Sequence, residues 1–410
     1  MKFRKLKLNA RYYRGIVIVL LVLLNLLLLS LFLKPSQSDM GVFPEVKEVE
    51  ARNLDFVGLK KYFTDLANKK GAEYAFKVLK EVKVRPGIDF HLMGHVVGEI
   101  LYKQQGAKGI QVCTQDFRNA CSHTIVVGLF SEKGTGALPI INKACREAPG
   151  GKGAYFMCFH GLGHGVLSYV GYDLPKAVKL CSLTGAKPNN QREFSECVGG
   201  TIMEIISGGD HDKALWSVQS KKYLTTDDPL YPCDADFMPR EVRTLCYIYL
   251  TPHLFQYAGA DLNNPDPKFF SKAFSYCDRL IDELDKGNRE VCYGGFGKEF
   301  VVLSKDRDIR DVVSITDAQL GRVVSWCSLA EDKDGIGDCI INAVGSLYWG
   351  GENAPDAAMR LCGMVTSSEQ QNKCYQYLIQ IVHYYKDDTV YIRDFCNKIP
   401  KQYASICSKS

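Results

Sequence analysis

Residues 138–167 read LPIINKACREAPGGKGAYFMCFHGLGHGVL, and this stretch decides the fold. LPIINKAC reads as an amphipathic helix that ends at Cys145. A polar, glycine-rich loop follows. Cys158 then opens a second helix, with an aromatic residue next in line. The same arrangement recurs down the chain. LPKAVKLC ends at Cys181, FFSKAFSYC at Cys277, LGRVVSWC at Cys327 and PDAAMRLC at Cys362. CVGGTIMEII opens at Cys197, CYIYLTPHLF at Cys246, CYGGFGKEFVVL at Cys292 and CYQYLIQIV at Cys374. Second cysteines return every 33 to 49 residues, a period that marks stacked helix pairs.

The sixteen cysteines make eight neighbouring pairs: Cys113 with Cys121, Cys145 with Cys158, Cys181 with Cys197, Cys233 with Cys246, Cys277 with Cys292, Cys327 with Cys339, Cys362 with Cys374 and Cys396 with Cys407. No C-x-x-C occurs, which argues against zinc ribbons, thioredoxin-like sites and c-type haem attachment. An even count fits disulfides in an oxidising compartment. Spacing alone does not fix connectivity. Sequential pairing is expected because each pair sits in the same local context. A disulfide across an inter-helix loop of about 15 residues stabilises by roughly 3 kcal/mol in the chain-entropy account. The glycine pairs 199/200 and 294/295 in second helices point to close helix approach.

A helix pair per repeat, a K-A-x-x-x-C ending and a C-x-x-G opening resemble the cysteine-rich, tetratricopeptide-like repeat proteins that carry one disulfide per helix pair. The resemblance spans roughly residues 110–410. It implies an all-α, right-handed α-solenoid used for binding, and it implies no catalytic residues.

Working outward, residues 15–33 read GIVIVLLVLLNLLLLSLFL, nineteen residues without a charge. At about 1.5 Å per residue this spans roughly 28 Å, the thickness of a bilayer's hydrocarbon core. Six positive charges and no negative ones precede it. That flank predicts a cytoplasmic N-terminus and an outside C-terminal domain, as in a single-pass cell-membrane protein. A cleaved signal peptide, with small residues at Ser36 and Ser38, is the rival reading. The expected organisation is a basic tail over 1–14, a signal-anchor helix over 15–33, a linker over 34–55 and an extracytoplasmic repeat domain over 56–410. Residues 56–69 and 72–83 have helical periodicity and form, with a helix from Phe90, a leading repeat without cysteines. The net charge of +5 becomes −1 once the basic tail is set aside, so a nucleic-acid-binding surface gets no support.

Five of the eight histidines lie in three consecutive second helices. Aligned on the second-cysteine position, which Asp89 takes in the leading repeat, His91, His123 and His160 are equivalent. His95 and His164 are a second equivalent pair. Spacing of four places both members of a pair on one helix face. Adjacent helices bring equivalent positions within about 8–10 Å. Convergence of these rings, with Glu99 one turn past His95, would present imidazoles to zinc, copper, iron or haem. Asp89, Glu204 and Glu299 are further carboxylates near that face. The alternative is that the histidines pack between helices and hydrogen-bond to carbonyls, with HGLGHG as a close-packing motif. No H-E-x-x-H, Walker A loop or G-x-S-x-G elbow is present, so no enzyme class is assigned. Residues 331–338 (EDKDGIGD) hint at a calcium loop but lack EF-hand spacing. Two functions are therefore expected in competition. One is a binding scaffold whose concave face takes a peptide, envelope protein or glycan. The other is a metal- or haem-binding protein, a hydrolase or oxidoreductase, built on the histidine cluster.

Overall fold

The computed structural model describes residues 43–410 apart from 85–87, 186–190, 209–211, 282–285, 308–311, 351–353 and 409–410. The apolar stretch at 15–33 lies outside the described residues, as does His211. Among the described residues the chain is all α-helix and short 3-10 turns, with no strand. Part of the expected linker is itself helical: α1, Pro44–Arg52, opens on proline, whose fixed φ suits a first helical position.

The leading repeat is α2 (Phe56–Lys70), α3 (Ala72–Glu81) and α4 (Phe90–Gln105). Asp55 caps α2 by accepting the Gly58 N–H at 2.7 Å, and Asp89 caps α4 by accepting the Leu92 N–H at 2.9 Å. Next come α5 (Ala120–Lys133), α6 (Leu138–Glu147) and α7 (Gly151–Tyr169). Then follow α8 (Leu174–Cys181), α9 (Gln191–Ser207), α10 (Arg243–Ala258) and α11 (Phe270–Ser275). Two short helices, Lys213–Gln219 and Lys221–Leu224, precede α10, and farther along are α12 (Lys286–Ser304), α13 (Asp317–Cys327), α14 (Lys333–Gly350), α15 (Asp356–Met364), α16 (Ser368–Tyr385), α17 (Thr389–Lys398) and α18 (Lys401–Cys407).

All sixteen cysteines are joined in sequence order, with Cα–Cα distances from 5.4 to 5.7 Å. Cys121 opens α5 as expected, but several later second cysteines do not open their helices. Cys158 is the eighth residue of α7, and Cys197 and Cys292 are likewise a turn or two inside α9 and α12. The residues before Cys158 and Cys197 are helical, and only their first two, Gly151 with Lys152 and Gln191 with Arg192, are exposed; the hydrophobic pattern alone reads them as loop. The final pair differs again, since Cys407 ends α18. Residues 333–338, inside the suspected calcium loop, are the first turns of α14. Asp334 there bonds Lys373 at 3.4 Å, and Asp332 bonds Arg289 at 2.5 Å.

The second helices pack side by side in chain order, from the cysteine-free α4 through α5, α7, α9, α10, α12 and α14 to α16. Glycines set the closeness of the α7–α9 crossing. A Cβ on Gly163 would lie 2.0 Å from the Cys197 carbonyl oxygen, and one on Gly200 would lie 1.9 Å from that of His160. Only hydrogen fits at either position. Farther along, Phe255, Phe270, Phe274, Phe296, Phe300 and Trp326 fill the space between α10, α11, α12 and α13, with Phe274 and Phe296 ring centroids 4.3 Å apart. Early and late helices also meet: Lys152 on α7 donates to the Tyr384 carbonyl at 3.2 Å, and Gly153 lies against the Trp349 ring.

Candidate metal centre

The close glycine crossings bring five imidazoles into one cluster. His91 and His95 stand one turn apart on α4, with ring centroids 4.6 Å apart. His123 on α5 lies 6.0 Å from His91 and 6.1 Å from His95. Its other side meets His160 at 5.7 Å and His164 at 5.8 Å, both on α7. Gly161 makes this contact: a Cβ there would sit 2.6 Å from the His123 Cα and from a ring carbon of the same residue. One ring nitrogen each from His91, His95 and His123 lies within 4.8 Å of the other two. Two imidazoles on one zinc ion at about 2.0–2.1 Å place their nitrogens roughly 3.3 Å apart. The His91 and His95 Nε2 atoms are 3.1 Å apart.

Proton placement can be followed from partner to partner. His91 Nδ1–H donates to the Phe117 carbonyl at 2.6 Å, so its Nε2 carries the lone pair. His164 Nδ1–H donates to Glu204 at 3.0 Å, and Tyr172 O–H donates to the other Glu204 oxygen at 3.1 Å. A carboxylate holding Nδ1 leaves Nε2 as the ligand nitrogen, the usual outer-shell arrangement of a metal-bound histidine. The Thr124 hydroxyl bears on the tautomer of His95. Thr124 Oγ1 is 2.8 Å from His95 Nδ1 and 3.0 Å from the Ala120 carbonyl. With its proton on Ala120, the hydroxyl accepts from His95 Nδ1–H, and two Nε2 lone pairs face each other across 3.1 Å. With its proton on His95 Nδ1, His95 Nε2–H donates to His91 instead. The first setting receives a cation and the second closes the pair in its absence.

The middle of the cluster lacks hydrogen bonds. Both ring nitrogens of His123, Nδ1 of His160 and Nε2 of His164 are buried without a partner. Leaving such a group unmade costs about 1–3 kcal/mol, and a buried orphan calls for a water or an ion. Burial drives the basicity of His91 down, and that of His123 and His160 well below the usual imidazole range. Neighbouring imidazoles add to this at His123. Neutral rings are the form that binds metal.

The remaining site candidates go elsewhere. Glu99 is not brought to the rings; it pairs with Lys103 at 2.6 Å at the surface. Asp89 serves as the α4 cap, and Glu299 pairs with Lys298. Sequence reading passed over Glu196, whose carboxylate is 4.0 Å from His160 Nδ1 and 2.6 Å from Arg192, and over Met203, whose sulfur is 3.4 Å from His160 Nε2. Nothing in their local pattern marks them. His383 lies with Cys396 and Cys407, but those sulfurs are joined to each other, and its Nε2–H donates to the Cys407 carbonyl at 3.0 Å. His253 is buried away from the cluster.

Comparison with family models, curated proteins and solved structures returns no match. The likeness to cysteine-rich helical repeats is thus one of architecture, resting on helices and disulfides, and it carries no function.

Proposed function

We propose that this chain is a metal-binding protein whose centre is His91, His95 and His123, with His160 and His164 flanking it. The observation that carries the reading is the set of four orphaned ring nitrogens, buried and gathered around His123. All-nitrogen donors suit zinc or copper, both of which accept imidazole. Three protein ligands is the number that catalytic zinc sites carry, although no reaction is assigned. Haem has less support, because the rings and the Gly161, Gly163 and Gly200 contacts leave backbone against backbone where a porphyrin would need a slot. An open groove for a peptide, envelope protein or glycan also has less support, since Lys152 and Gly153 lie against Tyr384 and Trp349.

The setting we propose is a right-handed helical solenoid outside the cell membrane, held by one N-terminal anchor over 15–33. The uncharged stretch, the six preceding positive charges and the eight disulfides support this setting.

Metal analysis of the full chain purified from an oxidising compartment tests the function. A stoichiometric ion, lost in His123→Ala, is expected. A folded, ion-free protein whose stability ignores both added zinc and chelator would refute it.

A further inference from the structure

Just before α5 the backbone does something costly. Phe117, Arg118 and Asn119 take φ values of 56°, 52° and 63°, three consecutive non-glycine residues in the left-handed region. Such a run persists only where surrounding structure holds it. It achieves two things. It aims the Phe117 carbonyl at His91 Nδ1. It also carries the Arg118 side chain inward, where Nε and one terminal guanidinium nitrogen are buried with no hydrogen-bond partner.

Other arginines spend their donors. Arg192 pairs with Glu196 at 2.6 Å, Arg289 with Asp278 at 2.9 Å, and Arg360 with Asp317 and the Ile315 carbonyl. Arg243 and Arg322 donate to backbone carbonyls. Arg118 does not, and a guanidinium cannot shed its charge. The groups whose charges bear on it are Glu299 and Tyr249. The Glu299 carboxylate is already tied to Lys298. Burial, and then the neighbouring Glu196 carboxylate, hold the Tyr249 phenol in its neutral form. Lys298 also lies over the Tyr249 ring at 5.1 Å, and that ring packs at a tilt against His160, centroids 4.6 Å apart. The Arg118 guanidinium, with two of its nitrogens buried, thus lies beside the imidazole cluster with no carboxylate hydrogen-bonded to it, and a metal ion there would add to the local positive charge.

We propose that Arg118 is the recognition point for an oxyanion, a carboxylate or phosphate group, on the ligand that comes to this centre. The planar guanidinium fork matches the two oxygens of such a group, and water exclusion strengthens the pairing. Tyr249 supplies a neutral hydroxyl nearby. The position beside a metal rests on the function proposed above; the unpaired guanidinium does not.

Inorganic phosphate and acetate are the probes, each titrated into the full chain in detergent with zinc and with chelator, following the melting temperature and binding heat. At least one is expected to raise the melting temperature of the wild type, with a shift that grows with the logarithm of concentration above the dissociation constant. Arg118→Gln should melt higher than wild type when no anion is present, because it removes a guanidinium whose two buried nitrogens lack hydrogen-bond partners. It should lose the anion response, with binding weaker by about 30-fold or more. Arg118→Lys keeps the charge but not the fork, and should bind more weakly than wild type. Zinc affinity should survive in Arg118→Gln, since Arg118 is no ligand. Anion binding that persists under chelator, in a protein that takes no zinc, would sink the metal centre and keep the oxyanion site. A wild type indifferent to both anions would overturn the oxyanion site, as would a response retained in Arg118→Gln or undiminished in Arg118→Lys.

Discussion

Replacing Thr124 by valine tests the histidine centre without touching a ligand. Valine keeps the size of the side chain and removes its hydroxyl. In the wild type that hydroxyl lies 2.8 Å from His95 Nδ1 and 3.0 Å from the Ala120 carbonyl, so it can accept the His95 Nδ1 proton and leave Nε2 free for a metal. In the variant, binding through Nε2 leaves Nδ1–H against a methyl group. The alternative tautomer, with Nε2–H bonded to His91 across 3.1 Å, becomes the better one and blocks the ion. Loss of an outer-shell partner costs metal affinity about 10- to 100-fold, or about 1.4–2.8 kcal/mol. Loss of the hydroxyl's own bond costs the metal-free fold only about 1 kcal/mol. The two effects are separable. Competition against a chromogenic chelator reads zinc affinity, and urea unfolding in chelator reads the fold. Unchanged zinc affinity in a folded Thr124→Val protein would refute the assignment of His95 Nε2 as a ligand.

Further outcomes follow from the same geometry. Gly200→Ala forces a Cβ into the His160 carbonyl at 1.9 Å, and overpacking of this kind destabilises by about 1–3 kcal/mol or more, so a normal melting temperature would contradict the α7–α9 contact. Removing the Cys181–Cys197 staple, which closes 16 residues, should lower stability by about 3 kcal/mol, and non-reducing peptide maps should recover only the eight sequential pairs. His123 and His160 are neutral in the fold well below the pH at which they protonate in the unfolded chain. The unfolded state therefore binds more protons once pH falls below about 6.5, and stability should drop from there by up to about 1.4 kcal/mol per pH unit for each ring. Urea unfolding from pH 7 to 5 reads this, and a slope unchanged in His160→Gln would contradict the burial. Asp338 has the opposite sign: burial, with Glu290 and Asp334 close by, pushes its carboxyl up to about 7, so ionising it opposes folding. Asp338→Asn should stabilise most at pH 8, with the gain shrinking steadily as pH falls from about 7 toward about 4.

Repeat structure announces itself in a sequence because it is local. The helix that ends at Cys145 and the one that carries Cys158 are each fixed by periodicity within about 15 residues. Equivalent positions in neighbouring repeats then place His91, His123 and His160 in one row before any coordinates exist. What stays hidden depends on helix phase and on distant packing. Glu99 sits one turn from His95, as a ligand would, yet its carboxylate turns to Lys103 in solvent. Glu204, in the repeat next to His164, reaches that ring instead. The left-handed run at 117–119 has no glycine to signal it, so the inward turn of Arg118 leaves no trace in composition. The first turns of α7 and α9 read as loops because what they bury is mostly glycine, alanine, serine and glutamate, which carry no apolar period.

Sixteen cysteines can be paired in about two million ways. In this chain the right partner is always the next cysteine along, between 8 and 16 residues away. A repeat domain that reaches an oxidising compartment in chain order could therefore oxidise each pair as soon as it emerges, before any competing thiol arrives. Assembly becomes a sequence of short, independent closures, each finished before the next begins. Such a protein has little need of disulfide shuffling, and a chain stalled halfway would leave behind a set of completed hairpins with no tangle of wrong bonds.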